Sequence, residues 1–214
     1  MRTIGNIIKI GLVLLIAISI YFTVPNRQLN VNYIGQYPNM PNGCEITSLT
    51  MLMNYNGYNV SKENMDSFLK KTGFTNADPN KAYIGSPYKN GYYCYAPPIT
   101  DAANEYFKKM GVSTNAKDKT GMSILGVLSN VVIWKKPVAV WYTLDDKAPE
   151  YGSGKYTDQN GKANRLYSNL HCVVVEGTNM GKVKVVDPIK GKREINVLQF
   201  TKLYYQMGQR AVVI

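Results

Sequence analysis

Apolar positions follow two different periods along the chain. From Cys44 to Asn56, residues Ile46, Leu49, Leu52 and Met53 recur at helical spacing, and Gly57 follows as a stop. Ser61 caps a second predicted helix over 62–71. Glu63 and Asp66 lie near its start and Lys70 and Lys71 at its end, the signs a helix dipole favours. A third helix is expected over 100–110, capped by Thr100, and a fourth over 122–133. The period then changes. Residues 137–143 form an unbroken apolar run of strand length, and 170–178 and 182–186 are β-rich, with Asn179-Met180-Gly181 between them as a hairpin. A last helix over 196–207 and a closing strand over 210–214 complete the pattern. Helices first and antiparallel strands second indicate an α+β fold and not alternating βαβ units. Residues 74–98 and 145–169 show no clean period and read as long loops. The first carries Tyr83, Tyr88, Tyr92, Tyr93 and Tyr95.

The N-terminus carries a separate signal. Residues 7–24 are 18 positions with a single charge, Lys9, and Arg2 precedes them. That length is at the lower limit of about 17–25 residues for a membrane span. No small-x-small cleavage site follows it, and the basic flank would remain inside. Residues 1–28 are therefore expected to be a signal anchor or signal peptide, with an N-terminal hydrophobic helix. Residues 25–35 read as a polar linker and 29–214 as one exported domain, membrane-held or secreted.

Composition narrows the function. The 214 residues include three Cys and one His, with no CxxC or HxxxH pair and no glycine-rich phosphate loop. Neither a metal site nor a nucleotide cofactor has support, and no cofactor is expected. The net charge is +11, and residues 29–214 keep 22 basic against 14 acidic residues. The basic residues are dispersed, which argues against nucleic acid as a partner.

The chemistry concentrates in four residues. His171, the single histidine, opens a β-strand, and Asp187 closes the next one. A hairpin turn of about five residues would set them directly opposite on one face, where the carboxylate would fix the imidazole tautomer. Cys44 starts a helix, where free N–H groups lower a thiol pKa, and a nearby His would lower it further. Gly43 would let substrate approach the sulfur. Gln36, eight residues upstream, could donate to an oxyanion beside the Cys44 N–H. Each residue also has a structural reading as core or turn. Together they supply nucleophile, base, orienter and oxyanion donor.

At these residues the chain resembles a known group. The segment Gln36 to Leu49 is similar to the catalytic segment of bacterial papain-like cysteine peptidases related to the double-glycine leader peptidases that process bacteriocins. Leu170-His171-Cys172-Val173-Val174 and Val185-Val186-Asp187-Pro188 resemble their His and Asp motifs, and Tyr95-Ala96-Pro97-Pro98-Ile99 a loop of the stand-alone members. The resemblance implies a papain-like fold with the Cys helix packed on a C-terminal antiparallel sheet. It also implies Cys44 as nucleophile, His171 as base and then acid, Asp187 as orienter and Gln36 in the oxyanion hole.

The expected activity is amide hydrolysis of a protein, peptide or cell-wall peptide, with acyl transfer as a neighbouring outcome. The alternative is a non-catalytic cell-surface binding module on a peptidase-like scaffold. Tyr93 and Tyr95 are candidate groove residues, Trp134 and Trp141 are expected in the core, and a Cys94–Cys172 disulfide is open for an exported chain.

Overall fold

The structure, a computed structural model, describes residues 26–214. The expected signal anchor and its hydrophobic helix fall almost entirely outside the described residues. Among the described residues no helix is long and apolar enough to cross a membrane.

A mixed-length antiparallel sheet forms the centre. Its strands are β1 (Arg27–Gln28), β4 (Lys117–Asp118), β5 (Val138–Thr143), β8 (Leu170–Asn179), β9 (Lys182–Asp187), β10 (Gly191–Asn196) and β11 (Ala211–Val213). The order is β10-β9-β8-β5-β11-β4, with β1 paired to the far end of β8. The unbroken apolar runs of β5 and β8 have a physical cause: both faces of the sheet are covered, so inward and outward residues are alike apolar. On one face Trp141, Cys172, Val174 and Val186 meet helices α1 (Cys44–Tyr55) and α3 (Ala96–Lys109) through Leu49, Ile99 and Phe107. On the other, Val140, Tyr142, Val173 and Val185 meet α4 (Ile124–Val132) and α5 (Val197–Gln206) through Val131, Phe200 and Tyr204. This is an α+β layered fold, as the change of period implied.

Several expectations need correction. The second helix, α2, stops at Asp66 (Lys62–Asp66), and Lys71–Thr72 instead forms β2, a parallel pair with β3 (Tyr83–Ile84). Helix α3 begins four residues early, at Ala96. Pro97 and Pro98 occupy its first turn, where proline's missing N–H costs nothing, and Thr100 back-bonds to Ala96 O at 3.0 Å instead of capping. The stretch 145–169 is not a loop: β6 (Tyr151–Thr157) and β7 (Ala163–Tyr167) form a hairpin. Its glycines disguised it. A Cβ on Gly154 would come within 2.9 Å of Leu166 Cδ1 and of the Tyr92 hydroxyl, so the glycine lets the hairpin lie close to its neighbours. The polar linker is also part of the fold, since β1 joins the sheet and Val31 is buried, with its N–H on Glu176 Oε2 at 2.8 Å. Trp141 is core as expected. Trp134 is 67 % exposed on the turn after α4. Cys94 and Cys172 are free buried thiols and form no disulfide.

Trp141 also links the core to the site, because its Nε1 donates to Cys94 O at 2.8 Å. Trp141→Phe keeps most of the apolar volume and orphans that buried carbonyl. The expected loss is about 1–3 kcal/mol of stability in urea unfolding; an unchanged midpoint would show the bond to be dispensable.

Candidate active site

Helix α1 sets Cys44 at its first position, with Gly43 as N-cap. Gly43 has an ordinary negative φ and does not line the cleft. A Cβ there would sit 2.7 Å from Met40 Cβ, so the glycine serves packing against Met40 and not substrate approach. Ser48 Oγ, one turn along α1, donates to Cys172 O at 3.1 Å and ties the helix to β8 beside His171.

The hairpin that carries His171 and Asp187 turns through Met180 and Gly181, both at positive φ, so its turn has two residues and not five. A register shift lies between Val175 and Gly177, and Val174 pairs with Val186. Asp187 therefore stands diagonal to His171 and not directly opposite. The parity is preserved, so both side chains share a face, and His171 Nε2 lies 2.8 Å from Asp187 Oδ1. Nε2 is thereby taken, leaving Nδ1 as the ring nitrogen available to the cleft.

Asp187 is buried and holds more than the imidazole. It accepts from the Ile189 and Lys190 amides at 2.9 and 3.2 Å and from Arg193 Nε at 3.1 Å. Arg193 Nη1 in turn bonds both oxygens of Asp146, at 3.0 and 2.8 Å. Burial acts to raise the Asp187 carboxyl. The His171 hydrogen bond and charge, with the two amides, outweigh it and hold the group well below the usual carboxylate range.

Gln36 is fixed by its backbone. Its N–H donates to Pro188 O at 2.9 Å, and its carbonyl accepts from the buried Lys62 ammonium at 2.8 Å. The side-chain Nε2 donates one hydrogen to Pro41 O at 2.7 Å, which leaves its second hydrogen for the cleft. Gln36, Cys44, Tyr93 and His171 all line one cavity of about 400 Å³. Tyr95 does not line it. That ring is buried behind Tyr93, with centroids 5.4 Å apart.

The thiol departs from expectation. Cys44 is 7 % exposed, and its Sγ donates to Glu45 Oε2 at 3.1 Å. Burial first, then the Glu45 charge, the proximity of Cys172 and the Glu45 hydrogen bond, push the Cys44 pKa up, not down. Glu45 itself accepts the Cys94 N–H at 3.0 Å and has no cation within 4.0 Å among the described residues. Burial raises it from 4.5 to about 7, against the pull of its own and the Cys94 amides and the Cys44 thiol.

Sequence reasoning missed Glu45, Arg193 and Asp146. Glu45 could have been noticed as an acid directly beside a candidate nucleophile. Arg193 could have been found by continuing the strand alternation past Pro188, since β10 pairs Gly191 with Asp187. Asp146 carried no local signal. Among the described residues no cluster of His, Cys, Asp and Glu could hold a metal ion.

A cysteine at a helix start, facing one cavity with a histidine from an antiparallel sheet, places this architecture with the papain-like cysteine peptidases. The chain belongs to the Peptidase_C39-like family, which matches it over residues 28–212. It is 32 % identical over 185 residues to the uncharacterized protein YvpB of Bacillus subtilis, covering 83 % of this chain and 70 % of that one. A crystal structure of a Bacillus anthracis protein described as C39-like superposes with a TM-score of 0.78 at 29 % identity, over 88 % of this chain and 96 % of the other. The peptidase domain of the Streptococcus transporter ComA superposes at 0.49 with 16 % identity, over 86 % and 96 %.

The Glu45 carboxyl makes a signed prediction. Its pKa is raised on folding, so the native state binds the extra proton between pH 4.5 and about 7, and stability falls as pH rises through that window. Glu45→Gln removes a penalty of about 3 kcal/mol at pH 8. The variant should therefore gain on the wild type in urea unfolding at pH 8 and not at pH 4.5. Equal differences at the two pH values would refute the assignment. Iodoacetamide labelling of Cys44 should stay slow until above the free-thiol value of about 8.5 in the wild type and shift to lower pH in Glu45→Gln.

Proposed function

We propose that the chain is a cysteine peptidase that hydrolyses an amide bond through Cys44, His171 and Asp187, with Gln36 assisting. The observation that carries this reading is that His171, held at 2.8 Å by the buried Asp187, lines the same cavity as Cys44. Membership of the family supports it independently.

In this reading the thiol rests protonated against Glu45 and is deprotonated as it attacks. Sγ turns toward His171 Nδ1, which takes the proton while the sulfur bonds to the substrate carbonyl carbon. The oxyanion that forms is met by the second Gln36 Nε2 hydrogen and by the Cys44 N–H, an unpaired first-turn donor. The imidazolium is stabilised by Asp187 and then protonates the leaving amine. Water, activated by the same imidazole, releases the acyl group from sulfur. Arg193 and the two amides on Asp187 keep the carboxylate ionised through the cycle and fix its direction. No step calls for a metal or organic cofactor.

The substrate in this reading is a protein, a peptide or a cell-wall peptide. The apolar, base-flanked stretch 7–24 supports membrane anchorage or secretion, with the catalytic domain outside the cell. Protease accessibility of the domain on intact cells tests the location.

Catalysis is tested by cleavage of a mixed peptide library, read by mass spectrometry. Cys44→Ala and His171→Ala should each abolish cleavage. Asp187→Asn should lower kcat by about 10²–10⁴-fold with little change in KM, and Gln36→Ala by about 10²–10³-fold. Cleavage that persists in Cys44→Ala would sink the peptidase reading.

A further inference from the structure

Beside the cleft lies a second cavity of about 330 Å³, and Tyr167 forms part of the wall of both. Its other principal walls are Tyr95, Tyr151, Tyr156, Arg165 and Arg210. The two arginines come from unrelated parts of the chain, β7 and the residue before β11, and converge on one space.

Both guanidiniums are held in place without being neutralised. Arg210 lies over the Tyr95 ring, 3.5 Å from its centroid, and Nη1 donates to Met207 O. Arg165 Nη2 donates to Tyr151 O at 3.2 Å and Gly152 O at 3.0 Å, and its charge stands 5.5 Å from the Tyr151 ring centroid. Among the described residues no carboxylate oxygen lies within 4.0 Å of either group. Asp78, whose charge reaches Tyr156, hydrogen-bonds the Asn80 backbone and side-chain amides instead. The contrast with Arg193 is internal to the molecule, since that guanidinium is shared by two carboxylates.

A stacked guanidinium has lost much of its freedom and keeps its edge N–H groups for a planar anion. Two of them around a cavity with tyrosine hydroxyls form a site for a carboxylate, which can accept from both and fill four lone-pair directions. The ring surfaces of Tyr151 and Tyr167, stacked at 4.8 Å, provide a flat wall for the adjoining chain. An extended peptide advances about 3.3 Å per residue, so a cavity sharing a wall with the cleft is one or a few residues from the bond attacked.

We propose that this second cavity is a subsite for a carboxylate of the substrate, carried by an acidic side chain or by the chain end, close to the scissile bond. This gives the peptidase its substrate class and rests on the peptidase reading.

The test has a binding arm and a cleavage arm. For binding, the full chain carrying Cys44→Ser is titrated by saturation-transfer NMR. Acetyl-Ala-Ala-Glu-Ala-Ala-amide is compared with its Gln counterpart, and acetyl-tetra-alanine with a free carboxylate is compared with its amide. At least one acidic member should bind about tenfold tighter than its neutral partner, and which one does so identifies the carboxylate's source. Arg165→Gln, on an exposed side chain, should reduce the preference, and adding Arg210→Gln should erase it. Arg210→Lys, which keeps the charge near Tyr95, should retain part of it. Neutral and acidic probes binding alike, or a preference that survives both substitutions, would overturn the subsite.

For cleavage, the mixed peptide library is digested by the wild type. Enrichment of acidic residues or chain ends near the cut sites is expected, and their absence among real cuts overturns the subsite while leaving the peptidase intact. No cleavage at all, with the binding preference preserved, sinks the peptidase reading and leaves a carboxylate-binding cavity.

Discussion

The cleft depends on one buried carboxylate. Asp187 takes hydrogen bonds from an imidazole, two backbone amides and a guanidinium, and the next residue presents its carbonyl, Pro188 O, to the Gln36 N–H. An ionised carboxylate without such partners would be expelled from a site this dry or would be neutralised. Here the partners make ionisation the favoured state, and the same contacts fix both walls of the cleft. The strand end orients His171, and the carbonyl beside it anchors the loop that carries Gln36.

The surrounding fold serves that arrangement by burying β5 and β8 on both faces. Helices α1 and α3 on one side and α4 and α5 on the other leave the ends of the central strands as the place where polar side chains can meet. His171 lies at such an end, paired across β5 with Tyr142, and the α1 N-terminus is drawn to it through Ser48 and Cys172. The N-terminal stretch contributes too. Lys62 from α2 and the buried Glu176 in β8 hold the chain between Arg27 and Gln36 with charge-assisted bonds to its backbone.

Much of this was legible in the sequence. Period 3.6 located α1, α4 and α5, β-rich apolar runs located the β8–β9 hairpin, and an assumed five-residue turn put His171 and Asp187 on one face. The turn has two residues instead of five, which alone would set them on opposite faces, and the one-residue bulge between Val175 and Gly177 restores the shared face. The hairpin over 151–167 was hidden because Gly152 and Gly154 read as loop residues, and close approach to Leu166 and Tyr92 is a tertiary requirement. The α3 start was hidden because a proline pair reads as a break, although a helix's first turn accepts it. The thiol's protonation was the deepest miss. Helix position argues for a lowered thiol pKa, whereas burial and the neighbouring Glu45 push the Cys44 pKa up. Three-dimensional convergence of Arg165 and Arg210 likewise has no one-dimensional trace.

The resting hydrogen bond between Cys44 and Glu45 has a chemical consequence of another kind. Oxidation and disulfide exchange both begin with a thiolate attacking peroxide or a disulfide sulfur, and a thiol kept protonated and almost without solvent contact presents very little thiolate. The sulfur is thus kept in its reduced form without a disulfide partner among the described residues. In the proposed reaction its reactivity is released where a substrate carbonyl enters the cleft and the proton passes to His171.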